Sequence, residues 1–509
     1  MTSPRPSEWR VFWLSWGALL LLAGGWAVTN PLMASPDEPA HVVRAASLVR
    51  GQLLEPDGDW GTRVEVPYFY HLVNAYPTCY MFDPNETGVC EIGAARPLAE
   101  PTESATMAGR YNPLYYALVG LPTLLPPGDG VLYLMRLVSA ALCTFLIALG
   151  MRAIAQTPAP AWAVLGAVGA FTPMTVFLFS SVNPAAVEIA AAFALWCQLL
   201  TLLRHPDPAK TGARMWWIAL PTVLLVNARG LSLLFTAVIV AAVLLVSPWS
   251  AVRAVFATRR AWPAIVVLGL GGVGAATWVL VSNSLGTGGD AQHADLNFLA
   301  AARSTLASTG TYVINMVGQF GWMDTNLHPL TLMAFAAVGG LAVIGSIALG
   351  TRRERLVLAA LAATTVGLPV LIQASQAQYL GLVWQGRYML PVAVGIPLLA
   401  GYLLVGHLAG RPAGAVEARA TSALVVTVAS AAALVQLAAA AENLHRYVNG
   451  ADGGWFSLEP DAWLPPVPIA AAVLLLAMGA AAYGAVLVWI GRVRTEAREP
   501  NRSDSTVDA

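Results

Sequence analysis

The chain has 509 residues, 57% of them hydrophobic and only 11% charged, with 28 basic and 28 acidic side chains cancelling to zero net charge. A soluble domain is about 25% charged, so this composition excludes an ordinary soluble protein, and the zero net charge gives no basis for attraction to nucleic acid. Repeated apolar runs of about 20 residues indicate a polytopic membrane protein, and an all-α one, because lipid offers the backbone no hydrogen-bond partners.

In chain order the apolar runs predict twelve transmembrane helices, at about 11–31, 131–154, 161–180, 184–203, 215–227, 230–248, 262–282, 329–350, 356–373, 389–408, 421–441 and 467–490. The first is too long for the apolar core of a signal peptide, and no small-x-small cleavage site follows it, so it reads as a retained helix. Basic residues orient the bundle. With the N-terminus in the cytoplasm, Arg352, Arg353 and Arg355 fall inside with most of the other arginines and Lys210, while most acids fall on the opposite face. The expectation is a single integral membrane domain over 1–490 with both termini cytoplasmic, and a disordered cytoplasmic tail over 491–509. The outer segments are 32–130, by far the longest, then 283–328, 374–388 and 442–466. Chain length and acids gathered on one face make that the working face.

Cys79 and Cys90 lie in the long outer segment, where an oxidising exterior favours a disulfide between them. Cys143 and Cys197 lie within spans and read as small apolar residues.

The segment following the first span holds the densest chemistry. Ser35 suits an N-cap, Pro36 the first helical position, Glu38 the capping-box position and Gly51 the stop. A helix over 36–50 would place Asp37, His41, Arg44 and Leu48 on one side and Val42, Ala46 and Val49 on the other. That pattern predicts an amphipathic helix lying parallel to the membrane. Capping alone can account for Glu38. Asp37 is then the freer carboxylate, and His41 and Arg44 converge with it on the polar side.

Four further motifs lie towards the same face. Arg110-Tyr111-Asn112-Pro113-Leu114-Tyr115-Tyr116 returns the long segment to the membrane. Tyr115 and Tyr116 fit an interfacial belt, and Arg110 and Asn112 are candidates to line a pocket. Asn183 opens the fourth span, and Glu188 sits one turn inside it. An acid there is a functional candidate or a surface-solvated one, with Arg136 or Arg229 as its counter-ion. Trp322 and Asp324 precede the eighth span, where Asp324 could line a site or cap a helix. Gln385, Arg387 and Tyr388 precede the tenth. Arg387 stands alone on the acid-rich face, and its forked donors suit a phosphate, though snorkelling at the interface is the bland alternative. No metal cluster with convincing spacing is evident, and the cofactor is left unknown.

The stretches Ser35–Arg44 with Gly51, Asn112–Tyr116, Ser181–Glu188, Gly321–Thr325 and Gly386–Pro391 together resemble the bacterial membrane-protein family known as domain-of-unknown-function family 2142. That family is similar to the GT-C glycosyltransferases. The resemblance implies a multi-span fold in a bacterial plasma membrane and a polyprenyl-phosphate-sugar donor. It also implies an envelope glycan or lipid acceptor, and an acidic base in a membrane-parallel helix of the first outer loop. Asp37-Glu38 holds that position. The expected reaction is sugar transfer on the outer face, with inversion, Asp37 as base and Glu38 or His41 in support. The competing expectations are a transporter or flippase for a lipid-linked or polar precursor, and a non-catalytic assembly partner.

Overall fold

The computed structural model describes residues 8–286, 292–293, 295–409, 414–455 and 462–492. The expected tail over 491–509 lies, beyond Arg492, outside the described residues. Among the described residues nine helices are long and apolar enough to cross a membrane, or eleven if each of two bent pairs counts as one span. The fifth expected span, at 215–227, is the helix Thr211–Val226, which has 16 residues. At 1.5 Å rise per residue it covers about 24 Å, short of a ~30 Å hydrocarbon core.

The two bends have identifiable causes. The third expected span, 161–180, is a helix Pro160–Ala170 followed after a 69° bend by Pro173–Phe179. Pro173 has no N–H to continue the ladder and disfavours helical geometry at Thr172. The break is locally satisfied. The Thr172 side chain caps the second half by accepting from the Thr175 amide, and the Gln436 side-chain amide donates to the freed carbonyl of Phe171 at 3.0 Å. The sixth span, Ser232–Val246, turns by 114° into Trp249–Ala257 at Pro248. Arg204 donates to the Val246 carbonyl there at 2.6 Å.

The helix Pro184–Arg204 is the central post, with almost every residue buried. Around it pack Asp129–Ile154, Thr211–Val226, Ser232–Val246 and Gly395–Leu408. Glu8–Val28 packs against both Asp129–Ile154 and the last helix, Ile469–Gly491. Trp262–Ser282 and Pro329–Leu349 lie at the periphery and present Leu270, Val273, Leu280 and Ile344 outward. Apolar tails supply no hydrophobic drive between spans, so close backbone approach at small residues carries the packing. A Cβ added at Gly166 would lie 2.4 Å from the Pro397 carbonyl, and one at Gly169 would lie 2.8 Å from that of Gly339.

Two of the expected outer segments are partly helical. Helix Arg352–Leu380 runs through the first half of 374–388, and helix Ala415–Asn449 through the first third of 442–466. The long segment 32–130 folds into a helix Glu38–Leu48 and a three-stranded antiparallel sheet of Asp57–Gly58, Gly61–Pro67 and Pro101–Thr106. A short helix Pro113–Val119 and a 3-10 turn Leu121–Leu124 follow. Cys79 and Cys90 are bonded, with Cα atoms 5.6 Å apart. This segment sits at the bundle end shared by Asp129, Pro184 and Gly386, hereafter the loop-rich end.

The helix expected at 36–50 exists as Glu38–Leu48, but it is not an exposed amphipathic helix. Val42, Ala45, Ala46 and Arg44 are all fully buried, and His41 nearly so. The sheet covers it on one side, where Thr106 Oγ1 donates to the Ala40 carbonyl, and Pro113–Val119 packs on another. Its apolar side faces the bundle rather than lipid, and exposed leucines fall nearby on 113–125, at Leu114, Leu118, Leu121, Leu124 and Leu125. A polar side chain at helical spacing shows which face it occupies and leaves open what covers that face.

Candidate functional site

Helix Glu38–Leu48 begins two residues later than its capping pattern suggested. Asp37, not Ser35, is the N-cap, with φ 65°, and its side chain caps nothing. Left-handed geometry is uncommon outside glycine and best tolerated by Asn and Asp. It turns the Asp37 carboxylate away from the helix it precedes.

Glu38 is no capping-box residue and does not reach the site surface. Its carboxylate takes a bidentate pair from Arg136, Nε to Oε1 at 2.8 Å and Nη2 to Oε2 at 2.7 Å, with both side chains fully buried. Arg136 also donates to the carbonyls of Ala27, Asn30 and Pro31, so all five of its N–H donors find acceptors. Glu38 Oε1 accepts the Val182 amide as well, at 3.0 Å. One ion pair therefore ties the end of the first helix, the start of Glu38–Leu48 and the lead into Pro184–Arg204. Asn183 completes the junction. It caps Pro184–Arg204 through the Ala185 amide, and its side chain donates to the Pro36 carbonyl.

Asp37 meets a residue 350 positions away. Arg387 Nη2 donates to Asp37 Oδ2 at 2.9 Å, the arginine side chain 4% exposed and the aspartate 51%. Arg387 lies on the turn Gly386–Met389, which Gly386 allows: a Cβ there would overlap the Tyr312 carbonyl at 1.9 Å. Two arginines flank the Tyr388 ring, with Cζ of Arg229 4.6 Å and of Arg387 5.3 Å from its centroid. Arg229 also stands 5.9 Å from the Tyr111 ring centroid and 3.6 Å from Glu188 Oε2. Glu188 Oε1 accepts from Ser232 Oγ. Two carboxylates and two guanidiniums thus share one compartment at the loop-rich end, with Asp37 as its exposed member.

His41 faces the same compartment. Its Nδ1 is 2.9 Å from Tyr116 Oη. Burial, reinforced by Arg229 and Arg387 and opposed by Asp37, lowers its pKa to about 3, so the ring is neutral at ordinary pH. Burial also raises the Tyr116 hydroxyl well above its usual range. Around Arg229, burial works against the charge, but Tyr111, Glu188 and Tyr388 outweigh it and raise its pKa.

Other candidates lie elsewhere. Arg44 turns away to the Gln52 and Leu53 carbonyls and closes the end of its own helix. Arg110 pairs with Asp57 on the surface. Asn112 caps Pro113–Val119 and donates to Asn227 Oδ1. Asp324 is in a second buried hub: Arg446 Nη2 reaches its Oδ2 at 3.1 Å, the Phe82 amide donates to the same oxygen, and Arg446 also holds the Tyr80, Asp83 and Glu86 carbonyls. Trp322 donates to the Met33 carbonyl. Gln385 precedes the Arg387 turn with its side-chain oxygen buried and without a hydrogen-bond partner among the described residues. Sequence reasoning passed over Tyr116 as a belt residue, gave Tyr111 no role and treated Arg229 only as a counter-ion. Their nearness to Asp37 depends on three segments distant in the chain. Among the described residues no group of three or more His, Cys, Asp or Glu side chains is placed to hold a metal.

Helices of this length and apolarity, with almost no sheet, define a multi-pass, all-helical membrane protein. Over residues 20–396 the chain matches the family described as "Predicted membrane protein (DUF2142)", and it belongs to that family. The matched region includes Asp37, His41, Glu188, Arg229, Arg387 and Tyr388. No curated protein and no solved structure matches the chain.

Proposed function

We propose that the protein is a membrane glycosyltransferase of GT-C type that moves a sugar from a polyprenyl-phosphate carrier to an envelope acceptor. In this reading the loop-rich end faces outward and both termini are cytoplasmic. One observation carries the proposal: the half-exposed Asp37 carboxylate lies in hydrogen-bond contact with the buried Arg387 guanidinium. A carboxylate able to take a hydroxyl proton and a forked cation able to hold a phosphate are the two groups such a transfer needs in one place.

The step balances as a single displacement. The acceptor hydroxyl oxygen forms a bond to the anomeric carbon as the bond from that carbon to the phosphate oxygen breaks. The hydroxyl proton goes to Asp37, and the electron pair of the broken bond leaves on the lipid phosphate beside Arg387. Attack opposite the leaving group inverts the anomeric centre, in contrast to the two-step retaining route. A phosphate at Arg387 gives the guanidinium another acceptor and frees Asp37 Oδ2 for the hydroxyl. Neutral His41 supports the pocket wall rather than carrying a proton, and Glu38 supports it through Arg136.

Reconstituted protein given labelled polyprenyl-phosphate sugars and envelope extract tests the reading. Transfer that Asp37→Asn and Arg387→Gln each suppress supports it, and transfer undiminished in Asp37→Asn overturns the base assignment. The bent helix at Phe171–Thr172 favours a second reading, since broken spans are common in transporters. Its carbonyl and cap are already satisfied by Gln436 and Thr172, which supports a packing role. Substrate crossing the bilayer without a new bond would nevertheless favour transport.

A further inference from the structure

We infer that Trp322 and Tyr80 are positioning residues for Asp37, acting through the backbone carbonyls of Met33 and Leu32. The inference rests on the proposed reading for what Asp37 does and adds what holds it in place. Asp37 ends an irregular strap, 30–37, in which every backbone carbonyl accepts a hydrogen bond. Arg136 takes those of Asn30 and Pro31. Tyr80 Oη donates to that of Leu32 at 2.7 Å, Trp322 Nε1 to that of Met33 at 3.1 Å, and Tyr447 Oη, more loosely, to that of Ala34 at 3.5 Å. Asn183 donates to the Pro36 carbonyl, and those of Ser35 and Asp37 accept the Glu38 and His41 amides. Side chains from distant parts of the chain thus set the path of the strap.

That path needs holding. Met33 and Asp37 both lie in the left-handed region, at φ 64° and 65°, a conformation that persists outside glycine only where the surroundings over-determine it. The Asp37 side chain is short and caps nothing, so the backbone decides where its carboxylate points. One cluster grips the middle of the strap. Phe82 packs edge-on against Trp322, ring centroids 5.8 Å apart, and its amide donates to Asp324 Oδ2 at 3.1 Å. Arg446 pairs with that carboxylate and holds the Tyr80 and Asp83 carbonyls. The Cys79–Cys90 disulfide closes the loop that carries Tyr80 and Phe82. Phe82 and Met323, close in sequence to the two donors, are left-handed as well, each at φ 65°. Strained backbone therefore gathers on both sides of one contact, the pattern of a site whose geometry is held for use.

The test uses the full chain in nanodiscs with Trp322→Phe and Tyr80→Phe, each of which removes one donor and keeps an aromatic ring. Hydrogen exchange of the peptide over 31–40 should quicken by about tenfold or more in each variant, while peptides from Pro184–Arg204 keep the wild-type rate. With a labelled polyprenyl-phosphate sugar as donor, kcat should fall about 10- to 100-fold at unchanged KM, since misplacing a reacting group by about 1 Å costs about 10²-fold. On an Asp37→Asn background the same substitutions should lower the residual transfer by less than about twofold. A merely structural role would lower transfer equally with and without Asp37. That equal fall, or exchange over 31–40 unmoved in both variants, overturns the inference. The two readings fail separately. Faster exchange in the variants of a protein that transfers no sugar sinks the glycosyltransferase and leaves the clamp on Asp37 standing. Full kcat in both variants of a protein that does transfer sugar sinks only the positioning role.

Discussion

Asp37 and Glu38 are neighbours in sequence with opposite fates. Glu38 is sealed with Arg136 and Asp37 is open to solvent, so their substitutions should separate cleanly. Breaking a buried ion pair leaves an uncompensated charge and costs about 3–5 kcal/mol. Glu38→Gln should therefore lower the thermal midpoint of the detergent-solubilised protein markedly. Asp37→Asn, at a half-exposed carboxylate, should lower the midpoint less than Glu38→Gln does and, if Asp37 is the base, cut transfer by roughly 10²–10⁴-fold. A wild-type midpoint in Glu38→Gln would remove the junction role given to Arg136. His41 makes a pH prediction. Burial lowers its pKa from the ordinary 6.5 to about 3, so between these values the unfolded chain binds a proton that the folded chain refuses. Stability then falls as pH drops through that window, by up to about 1.4 kcal/mol per pH unit. The midpoint of wild type should decline more between pH 7 and pH 5 than that of His41→Gln, and equal slopes would contradict the burial argument.

At the scale of elements, the helix Glu38–Leu48 shows the limit of periodicity. Its spacing correctly placed Asp37 and His41 towards one compartment, yet Arg44 on the same stripe serves its own helix end. The exposed apolar surface falls on 113–125, so Leu118→Lys and Leu121→Lys should weaken membrane seating there. Quenching by bromolipids of a tryptophan placed at Leu125 would read this out, with weaker quenching expected in the lysine variants. Glycine contacts make a separate prediction for the bundle. Gly166→Val places a branched side chain where even a Cβ meets the Pro397 carbonyl at 2.4 Å. Overpacking of this kind typically costs about 1–3 kcal/mol, visible as a lower midpoint, whereas Gly17→Ala, with open space around it, should be near neutral.

For the whole molecule, the proposed orientation rests on the distribution of basic residues and is open to a direct check. In a cysteine-scanning set, a membrane-impermeant maleimide added to intact cells should label a cysteine at Trp60 and spare one at Lys210. The reverse result would invert the topology and remove the outer-face reading of the site. The sequence by itself determined that this is an all-helical multi-pass membrane protein, because a stretch of some 20 apolar residues has few other stable states. It also picked out Asp37 and Arg387 as the carboxylate and cation of most interest, since capping could account for Glu38 but left Asp37 free, and Arg387 stands alone on the acid-rich face. Only the tertiary structure decided that these two touch, that Glu38 belongs to Arg136, that Asp324 belongs to Arg446, and that Arg229, Tyr111 and Tyr388 close the same compartment. The physical reason is that a charge in an apolar setting must find a counter-charge, while which one it finds depends on helix crossings set by contacts hundreds of residues apart.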